Sequence, residues 1–281
     1  MSPIHDQSYR RYQGTRQPPG RGWAVIAWAG IRNLLARKAF LAFILFAWIP
    51  FIVRTVQIYV VTMYPQAGNL APINAKMFQD FVEQQGSIVF FITIWAGAGL
   101  IASDRRANAL QIYLSKPLLR LEYIGGKLTI LIAFLLEVTL LPALLLICMQ
   151  IAFSGSFAFI SNNLYVIPAV ILASLLRVIV AAFTMLALSS LSKSSRYVAV
   201  LYTGAIFFTE AVYGFLLVVT GSSRVAWVSV SRNMDQVTDL IFRHAPRYET
   251  PTIVSVLVLI GLVIVSISVL ERRVRGVEVV K

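Results

Sequence analysis

Six apolar blocks of seventeen to twenty-six residues make up about half of this 281-residue chain, and the segments outside them hold nearly all of its charge. A hydrocarbon core about 30 Å thick takes roughly 20 residues of helix at about 1.5 Å each. The blocks cover 39–63, 86–102, 128–153, 166–191, 197–220 and 252–270, so each is long enough to cross a bilayer once. A helix satisfies its own backbone hydrogen bonds in lipid. The expected fold class is therefore all-α, a polytopic membrane protein with six transmembrane helices. The 13% of Asp, Glu, Lys and Arg is about half of what soluble domains carry, which fits that class better than a soluble enzyme.

Orientation follows from the basic residues. With the N-terminus inside, the inner segments hold seven cations (1–38), five (103–127), two (192–196) and four (271–281), against one (64–85), none (154–165) and four (221–251) outside. Lys and Arg collect in cytoplasmic loops, so both termini are expected there, in a multi-pass protein of the plasma (cell inner) membrane. The same bias accounts for the net charge of +13 without nucleic acid, and no basic face interleaved with aromatics offers a stacking platform. Residues 1–21 read as a flexible basic cytoplasmic tail and 271–281 as a second tail. Residues 22–38 (Trp23, Ile26, Ile31, Leu34, Leu35 with Arg32, Arg37, Lys38) read as an amphipathic helix lying at the lipid interface. The polar first 38 residues argue against a cleaved signal peptide.

Two outer stretches carry helical apolar spacing. Val230, Met234, Val237 and Ile241, in the outer loop 221–251, have Arg232, Asp235 and Asp239 on other faces. Met77, Phe78, Phe81 and Val82 form a shorter version ahead of the second span. Both are expected to rest on the outer membrane surface, with a role in gating a substrate as the sharper alternative.

Four ionisable residues fall inside spans: Arg54, Glu137, Arg177 and Glu210. Each costs roughly 2–4 kcal/mol near a helix centre. At about 1.5 Å per residue they lie about 22, 14, 21 and 20 Å from the cytoplasmic ends of their helices. Mutual neutralisation is the simpler expectation, Arg54 or Arg177 with Glu210 and Glu137 with Arg177. The alternative is a polar translocation path, with Thr93, Thr139, Ser174 and Thr184 as neighbours. Pro142 marks a kink and Pro168 an early-turn position. The single cysteine, Cys148, sits in an apolar run and reads as packing. His5 and His244 are both outside the spans, and no Cys/His spacing suits a metal.

The longest inner loop is 103–127, SDRRANALQIYLSKPLLRLEYIGGK. A charged knot, Asp104-Arg105-Arg106, opens it. A stretch with Leu110, Ile112, Tyr113 and Leu114 reads as helix until Ser115-Lys116-Pro117 interrupts it, and Leu118 to Tyr123 lead to Gly125-Gly126-Lys127. This is an amphipathic, basic pair of short helices, suited to a groove on a partner. It is no phosphate loop: Leu128 follows Lys127, and Leu121 stands five before Gly126.

In Gly97, Gly99, Asp104, Arg105, Leu110, Leu114, Ser115, Pro117, Arg120, Tyr123, Gly126 and Lys127 the sequence resembles the type-2 (ABC-2) family of ABC transporter permeases, exporter membrane subunits that pair with a separate ATPase. It departs from the family's frequent Gly-Glu-Arg-Glu-x-Gly-Thr, reading Ser103-Asp104-Arg105-Arg106-Ala107-Asn108-Ala109. The resemblance implies that 103–127 is a coupling loop, with Asp104, Arg105, Arg106, Leu110, Leu114, Pro117, Arg120 and Tyr123 meeting a cytoplasmic ABC ATPase. It also implies a second permease copy, in a homodimer within membrane lipid, and ATP with Mg bound by the partner ATPase. No catalytic residue and no cofactor is then expected on this chain. A self-sufficient secondary transporter or channel using the buried carboxylates is the rival reading. A membrane-embedded enzyme fits less well, because no histidine lies at membrane depth.

Overall fold

A computed structural model describes residues 21–64, 66, 68, 72–109 and 119–274. In chain order the helices are α1 (Gly22–Leu35), α2 (Lys38–Ala47), α3 (Ile49–Met63), α4 (Ala75–Ile92), a π-helical turn (Thr93–Gly97), α5 (Ala102–Arg106), α6 (Arg120–Val138), α7 (Leu140–Ser154), α8 (Ala158–Asn162), α9 (Val166–Leu191), α10 (Ser195–Thr220), a 3-10 turn (Ser223–Val228), α11 (Val230–Ile241) and α12 (Thr252–Arg273). The described residues contain no strand. Six stretches are long and apolar enough to cross a membrane: Lys38–Met63, Ala75–Arg106, Arg120–Ser154, Val166–Leu191, Ser195–Thr220 and Thr252–Arg273. The all-α, six-helix architecture read from the sequence is the one found.

Two of these begin earlier than hydropathy suggests. The second starts at Ala75, where Asn74 Oδ1 caps the helix by accepting from Met77 N at 3.0 Å. Lys76, Asp80 and Glu83 interrupt its apolar run, and Lys76 and Asp80 neutralise each other along one face at 2.9 Å. Met77, Phe78, Phe81 and Val82 therefore do not rest on an outer lipid surface. They are buried in a cluster with Ile58, Leu146, Val166 and Phe242. An apolar stripe shows that something covers it and leaves open whether that is lipid or another helix. The third stretch starts at Arg120, where Glu122 Oε2 accepts from the Leu119 amide at 3.1 Å.

Breaks in the spans have chemical causes. Span three is interrupted at Thr139 because Pro142 has no amide to offer the Val138 carbonyl. Gln85 Nε2 on α4 donates to that oxygen at 2.8 Å. Span one is interrupted at Trp48, just before Pro50.

α9 is the centre of the bundle. Ala169, Ala173, Ala181, Ala182, Ser189 and Ser190 are buried along it, and such small residues let neighbouring backbones approach. α10 is peripheral, burying only Val198, Tyr202 and Tyr213. α1 lies on the start of α6 through two glycines. A Cβ on Gly126 would stand 2.8 Å from Trp23 O, and one on Gly30 would stand 2.1 Å from Ile130 Cδ1. Its other face exposes Val25 and Trp28. α11 is a helix, as its spacing predicts, but Val237 is buried with Val180 and Leu259, and Val230 and Met234 pack on them. It caps the bundle instead of lying flat on it.

Candidate functional site

At the end of the bundle that carries α1 and α5, one carboxylate joins two helices. Asp104 on α5 accepts from Tyr123 Oη at 2.7 Å and pairs with Lys127 Nζ at 2.7 Å. Both partners sit one turn apart on α6, and Tyr123 is fully buried. Lys127 Nζ also lies 5.5 Å from the centre of the Tyr123 ring. Arg105 donates to the Ser190 carbonyl, and Arg106 Nε reaches Lys193 O at 3.4 Å, which ties α5 to the turn between α9 and α10. Ser189 Oγ accepts from the Ile101 and Ala102 amides at 3.1 Å each and donates to Ala98 O at 2.9 Å. Those two amides open a helix and would otherwise lack acceptors.

Of the residues singled out in this loop, Asp104, Arg105, Arg106 and Tyr123 are thus drawn into one junction. Arg120 opens α6 with its side chain exposed. Leu110, Leu114 and Pro117 lie outside the described residues, as do residues 1–20 and 275–281 of the tails.

The four intramembrane charges do not neutralise one another. Arg177 Nη2 meets Asp235 at 3.0 Å. Glu210 accepts from Arg232 Nε at 2.8 Å and from Ser229 Oγ at 2.7 Å. Glu137 accepts from Trp48 Nε1 at 2.8 Å, and Arg54 donates to Gln57 at 2.8 Å. The partners of Arg177 and Glu210 come from α11, which folds back over the spans. Arg232 and Asp235, three residues apart, reach two different membrane helices.

Beyond them α11 ends in a second knot. Asp239 accepts from Gln79 Nε2 and Arg247 Nη2, at 2.6 Å each, and Arg247 bridges on to Glu83 at 2.6 Å. His244 Nδ1 contacts Gln79 Oε1. Burial would lift the Asp239 carboxyl, but the hydrogen bonds from Arg247 and Gln79 outweigh it and hold the group below the usual Asp range. Asp235 shifts the other way: its burial is only partly offset by Arg177, and the nearby Glu83 charge raises it further. Hydrogen bonding to Glu210 keeps Arg232 firmly protonated, and Asp239 does the same for Arg247.

Under α11, between α4, α9 and α10, lies a cavity of about 550 Å³. Phe90, Phe91, Tyr202 and Phe207 give it aromatic walls, and Glu83, Arg177 and Asp235 supply its charges. Volumes of roughly 300–1,000 Å³ suit drug-sized molecules, and this lining suits an amphipathic one. Gly86 makes room for the Arg177 head, since a Cβ there would stand 3.0 Å from Nη1.

Sequence reasoning passed over Gln79, Glu83, Asp235, Asp239 and Arg247 as site residues. The available signal was the run Arg232, Asp235, Asp239, with charges at helical spacing on a strongly amphipathic helix. The sequence matches no protein-family model, and no curated protein matches it.

Proposed function

We propose that this multi-pass membrane protein is the permease subunit of an ABC-2 type exporter, moved by a separate cytoplasmic ATPase that binds the ATP and Mg. The observation that carries this reading is the junction at Asp104. Both described flanks of the 110–118 segment are fastened to the bundle, one by Arg105 and Arg106 to the α9–α10 turn, the other through Tyr123 and Lys127 to Asp104. A force applied to that segment therefore reaches α6, α9 and α10 together. α9 and α10 also wall the aromatic cavity, so nucleotide-driven closure of a partner has a mechanical route to a place that holds cargo. A partner drives such a change only if its nucleotide-bound form favours one arrangement. In this reading the α5 end is cytoplasmic, the membrane is the cell's inner one, and a second copy packs on an apolar face left exposed by the first and fifth spans.

The decisive experiment is co-purification from the native host with the chain tagged. A bound ATPase is expected, lost in the Leu114→Asp/Arg120→Asp variant while yield and helicity are retained. An ATPase-free preparation that transports in liposomes under an ion gradient overturns the proposal. One observation favours that second reading, a self-sufficient carrier. Glu137 Oε2 is buried without a hydrogen-bond partner among the described residues, as a proton-binding carboxyl would be. Gradient-driven transport abolished by Glu137→Gln would establish it.

A further inference from the structure

We infer that the cavity at the α5 end is a binding site for the phosphate headgroup of an anionic phospholipid. The cavity, about 590 Å³, lies between α1, the π-helical turn, α6 and the start of α10. Three cations line it, Arg37, Lys127 and Arg196, with the single carboxylate Asp104. Asp104 is already committed to Lys127 at 2.7 Å. Arg37 and Arg196 form no ion pair among the described residues, so the walls carry two positive charges that no described carboxylate pairs with. Two guanidiniums without an acid partner among the described residues line one cavity, and guanidinium N–H groups are the donors a phosphate takes.

A lipid, and not a free anion, is the occupant because of what borders the cavity. Trp95, in the π-helical turn, belongs to its wall and is 44% exposed. Its ring lies 5.7 Å from that of Phe43, which in turn lies 6.3 Å from that of Phe91. These rings continue from the charged rim along the apolar bundle, where acyl chains run. A headgroup in the cavity with chains on this strip satisfies both surfaces at once. Basic hollows between membrane helices recognise anionic headgroups in this way. The π-helical turn contributes Ile94, Trp95 and Ala96 to the cavity wall. This inference does not depend on an ATPase partner.

The test is native mass spectrometry of the full chain released from detergent, titrated separately with phosphatidylglycerol, phosphatidylcholine and inorganic phosphate. Phosphatidylglycerol is expected to bind about tenfold more tightly than phosphatidylcholine, and inorganic phosphate at equal concentration is expected not to displace it. Arg37→Gln/Arg196→Gln, at two exposed positions, should bring phosphatidylglycerol down to the phosphatidylcholine level. Ala199→Trp keeps every charge and fills the cavity, and should have the same effect. Equal affinity for the two lipids in the unaltered chain overturns the proposal without any variant. So does an unchanged preference in the double Arg variant, and displacement by inorganic phosphate would assign the site to the free anion instead.

Discussion

At the end capped by α11, Arg177, Arg232 and Arg247 each meet a carboxylate, whereas at the α5 end, among the described residues, only Lys127 does. Arg105 and Arg106 there hold backbone carbonyls, and Arg37 and Arg196 hold no acid among the described residues. The first arrangement is self-contained. Its side chains lock a short helix onto three membrane helices and leave little net charge to attract anything else. The second is locked by one acid and keeps cations in reserve, which suits a surface that must meet anionic headgroups or another subunit. Charge placed between helices builds structure, and charge left unmatched recruits partners.

The largest effect that would break this contrast is at Asp235. Asp235→Ala strands Arg177, whose side chain is 7% exposed, and removing one member of such a pair costs roughly 3–5 kcal/mol. Thermal unfolding in detergent, followed by tryptophan fluorescence, should show a large drop in midpoint. Asp104→Ala comes next. It leaves Lys127, with a side chain 13% exposed, and the Tyr123 hydroxyl without their shared acceptor, at about 2–3 kcal/mol. It should also uncouple the loop, so that any ATPase that binds is no longer stimulated by cargo.

Acid sharpens the comparison. Because the Asp239 carboxyl titrates below its unfolded value, its contribution is complete above that value, near pH ~3.9, and is lost as pH falls through the folded one. Asp235, raised instead, contributes below its unfolded value and loses that as pH rises through the folded one. Asp239→Asn should therefore be less stable at neutral pH and show a flatter midpoint between about pH 5 and 3. The smallest effect is expected at Arg224→Gln, since Arg224 and Glu249 are largely exposed at 3.7 Å, and such a pair contributes within about 0.5 kcal/mol. A midpoint shift of several degrees there would show that the cap is more cooperative than its contacts suggest.

Much of this molecule is legible in one dimension. Val166–Leu191 is bounded as the apolar block 166–191 implies, because a long uninterrupted run leaves only its ends in doubt. The start of span two is hidden because Lys76, Asp80 and Glu83 interrupt the hydropathy there, although the helix carries them on a polar side. The partners of Arg177 and Glu210 were out of reach for a different reason. Depth along a helix axis can be estimated from residue number, but α11 returns over the bundle, and nothing local encodes a return. The contact of Asp104 with Tyr123 at 2.7 Å was equally out of reach, since the two stand nineteen positions apart and both read as residues for a partner.

The bond from Trp48 to Glu137 has a mechanical side. It joins the interruption of span one to a point two residues before that of span three, at Thr139. Each interruption is a weak place where a long rod gives first, and a strut between two weak places makes them yield in concert. Gln85 fastens α4 to the same region through Val138. Three rods joined at mid-height cannot flex singly, so a tilt begun in one becomes a shear of all three.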